Sequence, residues 1–213
     1  MKRLIALLTI IALTLTFVAC SSNSNSDNTT AQSKEETSAQ PNETKENTLA
    51  KDDAVSEKSL VVYFSATGNT KGVADKIAAV TGADTYEILA AQPYSDDDLN
   101  YNNDDSRATK EQNDKTIRPE IGSEQLDLSA YDTIYLGYPI WWGQAPRIMD
   151  TFVESYDFTG KTVIPFCTSG SSDIGTTGDD LEANAGSGNW LKGKRFAGGT
   201  TQAEVEEWLA TFQ

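Results

Sequence analysis

The chain has 213 residues, with 17 Lys and Arg against 32 Asp and Glu, for a formal charge of −15. That length implies one domain, and the acidic balance leaves no basic stretch to neutralise a phosphate backbone, which excludes a nucleic-acid partner. The absence of histidine excludes Ser-His-Asp chemistry, imidazole acid–base catalysis and His metal sites, and the two cysteines, Cys20 and Cys167, are too few for a disulfide framework or a cysteine zinc site.

The chain opens with Lys2 and Arg3, then the apolar run LIALLTIIALTLTFVA, which ends at FVAC before SSNSNSDN. A charged start followed by an apolar run of this length reads as a targeting segment rather than a membrane span. A small residue, Ala19, directly before Cys20 resembles the lipobox of bacterial lipoproteins, with Phe17 where Leu is more usual. The resemblance implies a signal peptide over 1–19, lipid attachment at Cys20, and an extracytoplasmic chain lipid-anchored to the cell membrane. A secretory signal cleaved nearby and an uncleaved anchor are the alternatives. Residues 20–57 are mostly Ser, Asn, Thr, Glu, Lys and Gln. They lack the apolar surface needed to offset the entropy of ordering and are read as a disordered tether. A flexible chain of that length spans about 35 Å.

Residues 58–213 are long enough for one core. SLVVYFS (59–65) is a continuous apolar run, as a strand buried on both faces requires. NTKGVADKIAAVTG follows as a helix, with Val73, Ile77 and Val80 on one face and Gly82 as its stop. ADTYEILA (83–90) is a second strand. Residues 91–131 are polar and acidic and are read as a solvated excursion with one helix over 106–113. Within them DLNYNNDDSRAT fails as a calcium loop, because Asn103 takes the glycine position and Thr109 the place of the bidentate Glu. YDTIYLGYP contains a third strand, KTVIPFC a fourth, and NWLKGKRFAG a short, weak fifth. APRIMDTFVESY and TTQAEVEEWLATF are amphipathic helices, the second opening with Thr201 and Glu204 in capping-box spacing. Strands alternating with helices predict an α/β fold, a parallel sheet covered on both faces.

Ligands bind such sheets outside the carboxyl ends of the strands. Three strand ends here carry unusual loops. The first, SATGNT, lies between a strand and a helix N-terminus, where free N–H groups and the helix dipole favour an anion. Gly68 permits a tight turn, and Ser65, Thr67, Asn69 and Thr70 can each donate a hydrogen bond. The spacing is neither the nucleotide P-loop nor the dinucleotide fingerprint, so it suits one terminal phosphate. A Ser/Thr-rich helix cap with no ligand has the same composition. The second loop, GYPIWWGQAP, sets Trp141 beside Trp142; one could belong to the core, but an exposed indole offers a flat face for a planar ring. The third, CTSGSSDIG, supplies small residues and backbone N–H groups for the polar edge of a heterocycle, or is an ordinary turn.

A phosphate loop, an aromatic platform and a polar rim describe flavin mononucleotide. YFSATGNTKGVADKIA is similar to the phosphate loop and first helix of the flavodoxin family. YDTIYLGYPIWWGQAPRIMDTF and GKTVIPFCTSGSSDIG resemble its second and third flavin loops. The resemblance covers the chain from about Ser59 and implies a flavodoxin-like doubly wound sheet of five strands, order 2-1-3-4-5, with non-covalent FMN. It places Ser65, Ala66, Thr67, Gly68, Asn69 and Thr70 on the phosphate. Pro139, Ile140, Trp141, Trp142 and Gly143 flank one side of the ring, with Trp141 the expected stacking residue. Thr168, Ser169, Gly170 and Ser171, with Gly175, flank its edge or the ribityl chain. Many flavodoxins carry a tyrosine in the third loop; here Ser171, Ser172 and Asp173 stand there, which leaves one ring face open. No catalytic residue or metal ligand is assigned.

The expected function is a membrane-tethered electron-transfer flavoprotein. Its partner would be a redox protein or a quinone-like acceptor at the membrane. The alternatives are an FMN-dependent NAD(P)H:quinone-type reductase, whose second loop YPIWWGQAP also resembles, and a flavin-binding lipoprotein without redox function.

Overall fold

A computed structural model describes residues 58–212. The expected signal peptide, the lipid-attachment residue Cys20 and the tether lie outside the described residues. Four strands, β1 (Ser59–Tyr63), β2 (Asp84–Glu87), β3 (Thr133–Pro139) and β4 (Thr162–Thr168), pair in parallel, together with two short pieces, β5 (Asn189–Trp190) and β6 (Lys194–Phe196). The order is β2-β1-β3-β4-β5, with β6 also paired to β4. This is the expected 2-1-3-4-5 sheet with its fifth strand in two parts. The break, residues 191–193, stands opposite Ile164 and Pro165. Proline has no N–H to give the ladder, so pairing lapses there.

Five helices cover the sheet: α1 (Asn69–Thr81), α2 (Arg107–Asn113), α3 (Arg147–Ser155), α4 (Thr177–Ala185) and α5 (Gln202–Leu209). Alternate strand residues face opposite sides of a sheet, and the core divides accordingly. Val61, Tyr63, Tyr135, Ile164 and Phe166 pack with Val73 and Ile77 of α1 and with Val205 and Trp208 of α5. Leu60, Val62, Ile134, Leu136 and Val163 pack with Ile148, Met149 and Phe152 of α3 and with Leu181 of α4. Each fully buried aliphatic side chain contributes about 1.5–3 kcal/mol relative to exposure. Gly137 has to lack a side chain: a Cβ there would stand 2.2 Å from the Phe166 ring.

The helix stops and caps follow the sequence signals. Gly82 closes α1 at a left-handed φ of 70°, and Thr201 and Glu204 form the capping box of α5. Three features depart from expectation. Strand β2 ends at Glu87; beyond it the Ile88 N–H still bonds to the Tyr63 carbonyl at 2.7 Å, and Ala90 bridges to Ile121. Helix α4 was not expected, because only Thr177 and Leu181 are buried on it and glycine and aspartates fill the rest. The excursion over 91–131 is not solvated throughout. In it Ala108, Thr109, Glu111 and Gln112 are buried.

Buried polar groups hold that excursion down. Glu111 is 5 % exposed and accepts from Tyr94 Oη at 2.6 Å and from Arg107 Nε at 2.7 Å. The Arg107 guanidinium lies 4.0 Å from the centre of the Tyr94 ring. Burial, with the Glu111 carboxylate beside it, pushes the Tyr94 phenol well above its ordinary range. Arg147, buried at the start of α3, donates to the carbonyls of Glu111 and Gln112. An acidic composition hid an ordered element because its charges are paired rather than solvated.

Candidate functional site

The carboxyl ends of β1, β3 and β4 meet at one cavity of about 420 Å³. Thr67 and Asn69 line it from the first loop, Pro139, Ile140, Trp141 and Trp142 from the second, and Thr168, Ser169 and Gly170 from the third. Its volume falls within the range of about 300–1,000 Å³ usual for small-molecule sites.

The first loop turns on Gly68, which caps α1 at φ 83° with no side chain to satisfy the helix. The amides of Asn69 and Thr70 therefore have no partner within the helix, and they carry the positive end of its dipole. The Asn69 carboxamide donates to Thr67 Oγ at 3.1 Å, which ties the two cavity-lining side chains together. Ser65 Oγ accepts from the Lys71 N–H at 3.1 Å and braces the loop from behind. Thr70 is 1 % exposed, and its hydroxyl pairs with that of Thr168 at 2.8 Å. It locks the first loop to the third and does not line the cavity. Ser65 and Ala66 line a separate groove of about 140 Å³ with Ile88, Leu89 and Tyr94.

The second loop is a two-residue hairpin. Trp141 and Gln144 exchange both backbone hydrogen bonds at 2.9 Å. Trp142 and Gly143 between them have φ values of 47° and 75°, the pattern of a type I′ turn. Glycine or asparagine normally takes the position that Trp142 holds, and a bulky residue there is strained. The two indoles consequently have different surroundings. Trp141 is 6 % exposed and is held edge-to-face by Phe64 and Tyr94, with ring centres 5.5 and 5.1 Å away. Trp142 lies flat against Tyr101, with ring centres 4.2 Å apart and planes at 22°. Both indoles line the cavity, so the expected stacking residue Trp141 borders it together with Trp142. Trp141 belongs to the core, and Trp142 is the indole carried on the turn.

In the third loop Ser169 and Gly170 line the cavity, whereas Ser171 and Gly175 do not. Gly143 also stays outside the lining and serves the turn. Three lining residues were not anticipated: Leu99, Tyr101 and Gly198. The signal for the first two was present in DDDLNYNND, two large apolar residues isolated in an acidic run. Tyr101 is 56 % exposed, unusual for a ring that size. The turn before it is fixed by Asp98, which accepts from the Ser95 N–H and hydroxyl at 2.9 and 2.8 Å. Those bonds hold the Asp98 carboxyl below its ordinary range.

A flavodoxin family model matches residues 58–212. The chain belongs to the flavodoxin family. Crystal structures described as flavoproteins from Bacteroides eggerthii and Bacteroides uniformis are 44% and 45% identical to it, with TM-scores of 0.68 and 0.69. Each match covers 72% of this chain and 96% or 98% of the relative. A flavoprotein from Lactobacillus acidophilus, solved in complex with FMN, is 25% identical with a TM-score of 0.56, over 72% of this chain and 99% of its own. Among curated proteins none matches the chain. Within the flavodoxin frame, the cavity lies at the strand ends where the sheet order reverses, between β1 and β3, as a doubly wound sheet requires.

Proposed function

We propose that this flavodoxin-family chain binds FMN and carries electrons at the membrane to which Cys20 tethers it. The observation that supports this reading most is the convergence of a hydroxyl-bearing helix N-terminus, an aromatic pair and a small-residue loop on one cavity. These residues fit the cofactor. The amides of Asn69 and Thr70, with the Thr67 hydroxyl and the Asn69 carboxamide, offer donors to a single phosphate without an arginine. Trp142 and Tyr101 offer flat faces, and the backbone of 168–170 offers a polar edge. Bound FMN supplies the redox chemistry, while the protein sets its potential and the exposure of the ring.

Tyr101 bears on the choice between carrier and reductase. The third loop has no aromatic residue, which implied an open ring face. Tyr101, from the excursion after β2, stacks on Trp142 with ring centres 4.2 Å apart and lines the cavity beside it, which narrows the room for a second substrate on that side. The full-length chain, reconstituted with FMN, is therefore expected to consume no NADPH or NADH when a soluble quinone is supplied, and to exchange electrons with a dithionite-reduced redox protein. Rapid quinone-dependent NAD(P)H consumption would establish the reductase instead. Intact-mass analysis of membrane-extracted protein tests the tether: a diacyl group on a chain beginning at Cys20 is expected, and an unmodified chain retaining residues 1–19 contradicts it.

A further inference from the structure

Arg195, in β6, reaches back to the loop after β4. Its Nε donates to Ser169 Oγ at 3.1 Å, and its Nη2 donates to the carbonyls of Ser169 at 2.7 Å and Gly170 at 2.9 Å. The Ser169 N–H in turn bonds to the Phe196 carbonyl at 3.2 Å, and the Ser169 hydroxyl donates to the Ser172 carbonyl. The loop is thus pinned to β6 from one side. Ser169 and Gly170 also line the cavity.

A trans peptide points its N–H opposite to its C=O. Drawing the carbonyls of Ser169 and Gly170 towards the guanidinium therefore turns the N–H groups of Gly170 and Ser171 away from it. Neither N–H has a hydrogen-bond partner among the described residues. Arg195 itself forms no ion pair with a carboxylate among the described residues. Its charge polarises the two peptides it holds, which makes their N–H groups better donors. In a chain of net charge −15, this is a cation directly behind a cavity wall.

We infer that Arg195 is a positioning residue for the cofactor: it aims the Gly170 N–H at the polar edge of the flavin ring and tilts the site towards the reduced, anionic flavin. The inference rests on the FMN reading above. Two electrons and one proton convert FMN to FMNH⁻, and the added negative charge is shared over the pyrimidine edge of the ring. A donor backed by a guanidinium holds that charge better than it holds the neutral oxidised ring.

The test uses the full-length chain with Arg195→Gln and Arg195→Lys. The affinities for oxidised FMN and riboflavin are measured by fluorescence titration, and the midpoint potential of the bound flavin by equilibration with dithionite and a reference dye. Thermal melts report folding. Arg195→Gln is expected to move the potential to a more negative value. Its affinity for reduced flavin should fall by about tenfold more than for the oxidised form, the size of one charge-assisted hydrogen bond. The loss should be equal for FMN and riboflavin, because the effect lies at the ring. Arg195→Lys, which keeps the charge without the fork, should recover part of it, and it carries the test alone if Arg195→Gln fails to fold. An unchanged potential, an equal loss of both redox forms, or a loss confined to FMN would overturn the inference while leaving the FMN reading intact. Failure of the unaltered chain to bind either flavin would overturn both.

Discussion

Trp141 and Trp142 are adjacent and identical in type, yet the backbone gives them separate tasks. Trp142 sits at φ 47°, a conformation that costs a bulky residue about 1–3 kcal/mol and that glycine adopts freely. Trp142→Gly should therefore leave thermal stability nearly unchanged while weakening FMN binding. Trp141→Ala empties a site in the core and should cost about 3–5 kcal/mol. Thermal melts and FMN titrations of the two variants separate these outcomes, and equal destabilisation would contradict the division. Cys167 tests burial in another way. It is 0 % exposed in β4, and desolvation pushes its thiol from 9.0 up to about 12. A raised thiol means the fold prefers the neutral form. That contribution to stability is intact below pH 9.0 and is lost as the pH rises through about 12. Stability should decline over that alkaline window. At pH 8, peptide mapping after iodoacetamide treatment should find Cys167 unlabelled until denaturant is added; rapid labelling of the native chain would show that the thiol is not enclosed.

Among the elements, α2 and the loop before it form the part of the site that sequence patterning disguises. The sheet was legible because SLVVYFS and KTVIPFC are unbroken apolar runs, and α1, α3 and α5 because their apolar residues repeat at helical spacing. Helix α2 has no such stripe: it buries Thr109, Glu111 and Gln112 and is held by polar bonds that a hydrophobicity pattern does not register. Glu111→Gln removes the carboxylate shared by Tyr94 and Arg107. With Arg107 still 20 % exposed and partly solvated, the expected loss is about 1–3 kcal/mol. Hydrogen exchange should quicken over residues 92–113, and FMN affinity should fall with it, because the same segment carries Leu99 and Tyr101 to the cavity. Unchanged exchange in that segment would mean the apolar contacts of Tyr94 hold it without the carboxylate.

Taken as a whole, the molecule assembles its site from contacts that are distant in sequence. Loop identity was legible because the three loops fall at strand ends, where a doubly wound sheet exposes its ligands. Which residue in each loop faces the cavity was not. Thr70 looks like a phosphate donor in SATGNT, yet its hydroxyl is buried against that of Thr168, 98 residues away. Gly198, an inconspicuous turn residue in the sequence, lines the cavity close to Asn69: a Cβ on it would stand 2.8 Å from the Asn69 carboxamide oxygen. These placements depend on register between strands, which local pattern does not encode.

The proposed seat of the FMN phosphate is the first loop. Titrating the full-length chain with FMN and with riboflavin, which differ in that phosphate alone, and repeating both titrations with Thr67→Ala puts this to the test. FMN is expected to bind much more tightly than riboflavin. Thr67→Ala should cost about 1–3 kcal/mol for FMN and leave riboflavin nearly unaffected. Equal affinity for the two flavins, or an equal effect of the substitution on both, would contradict that seat.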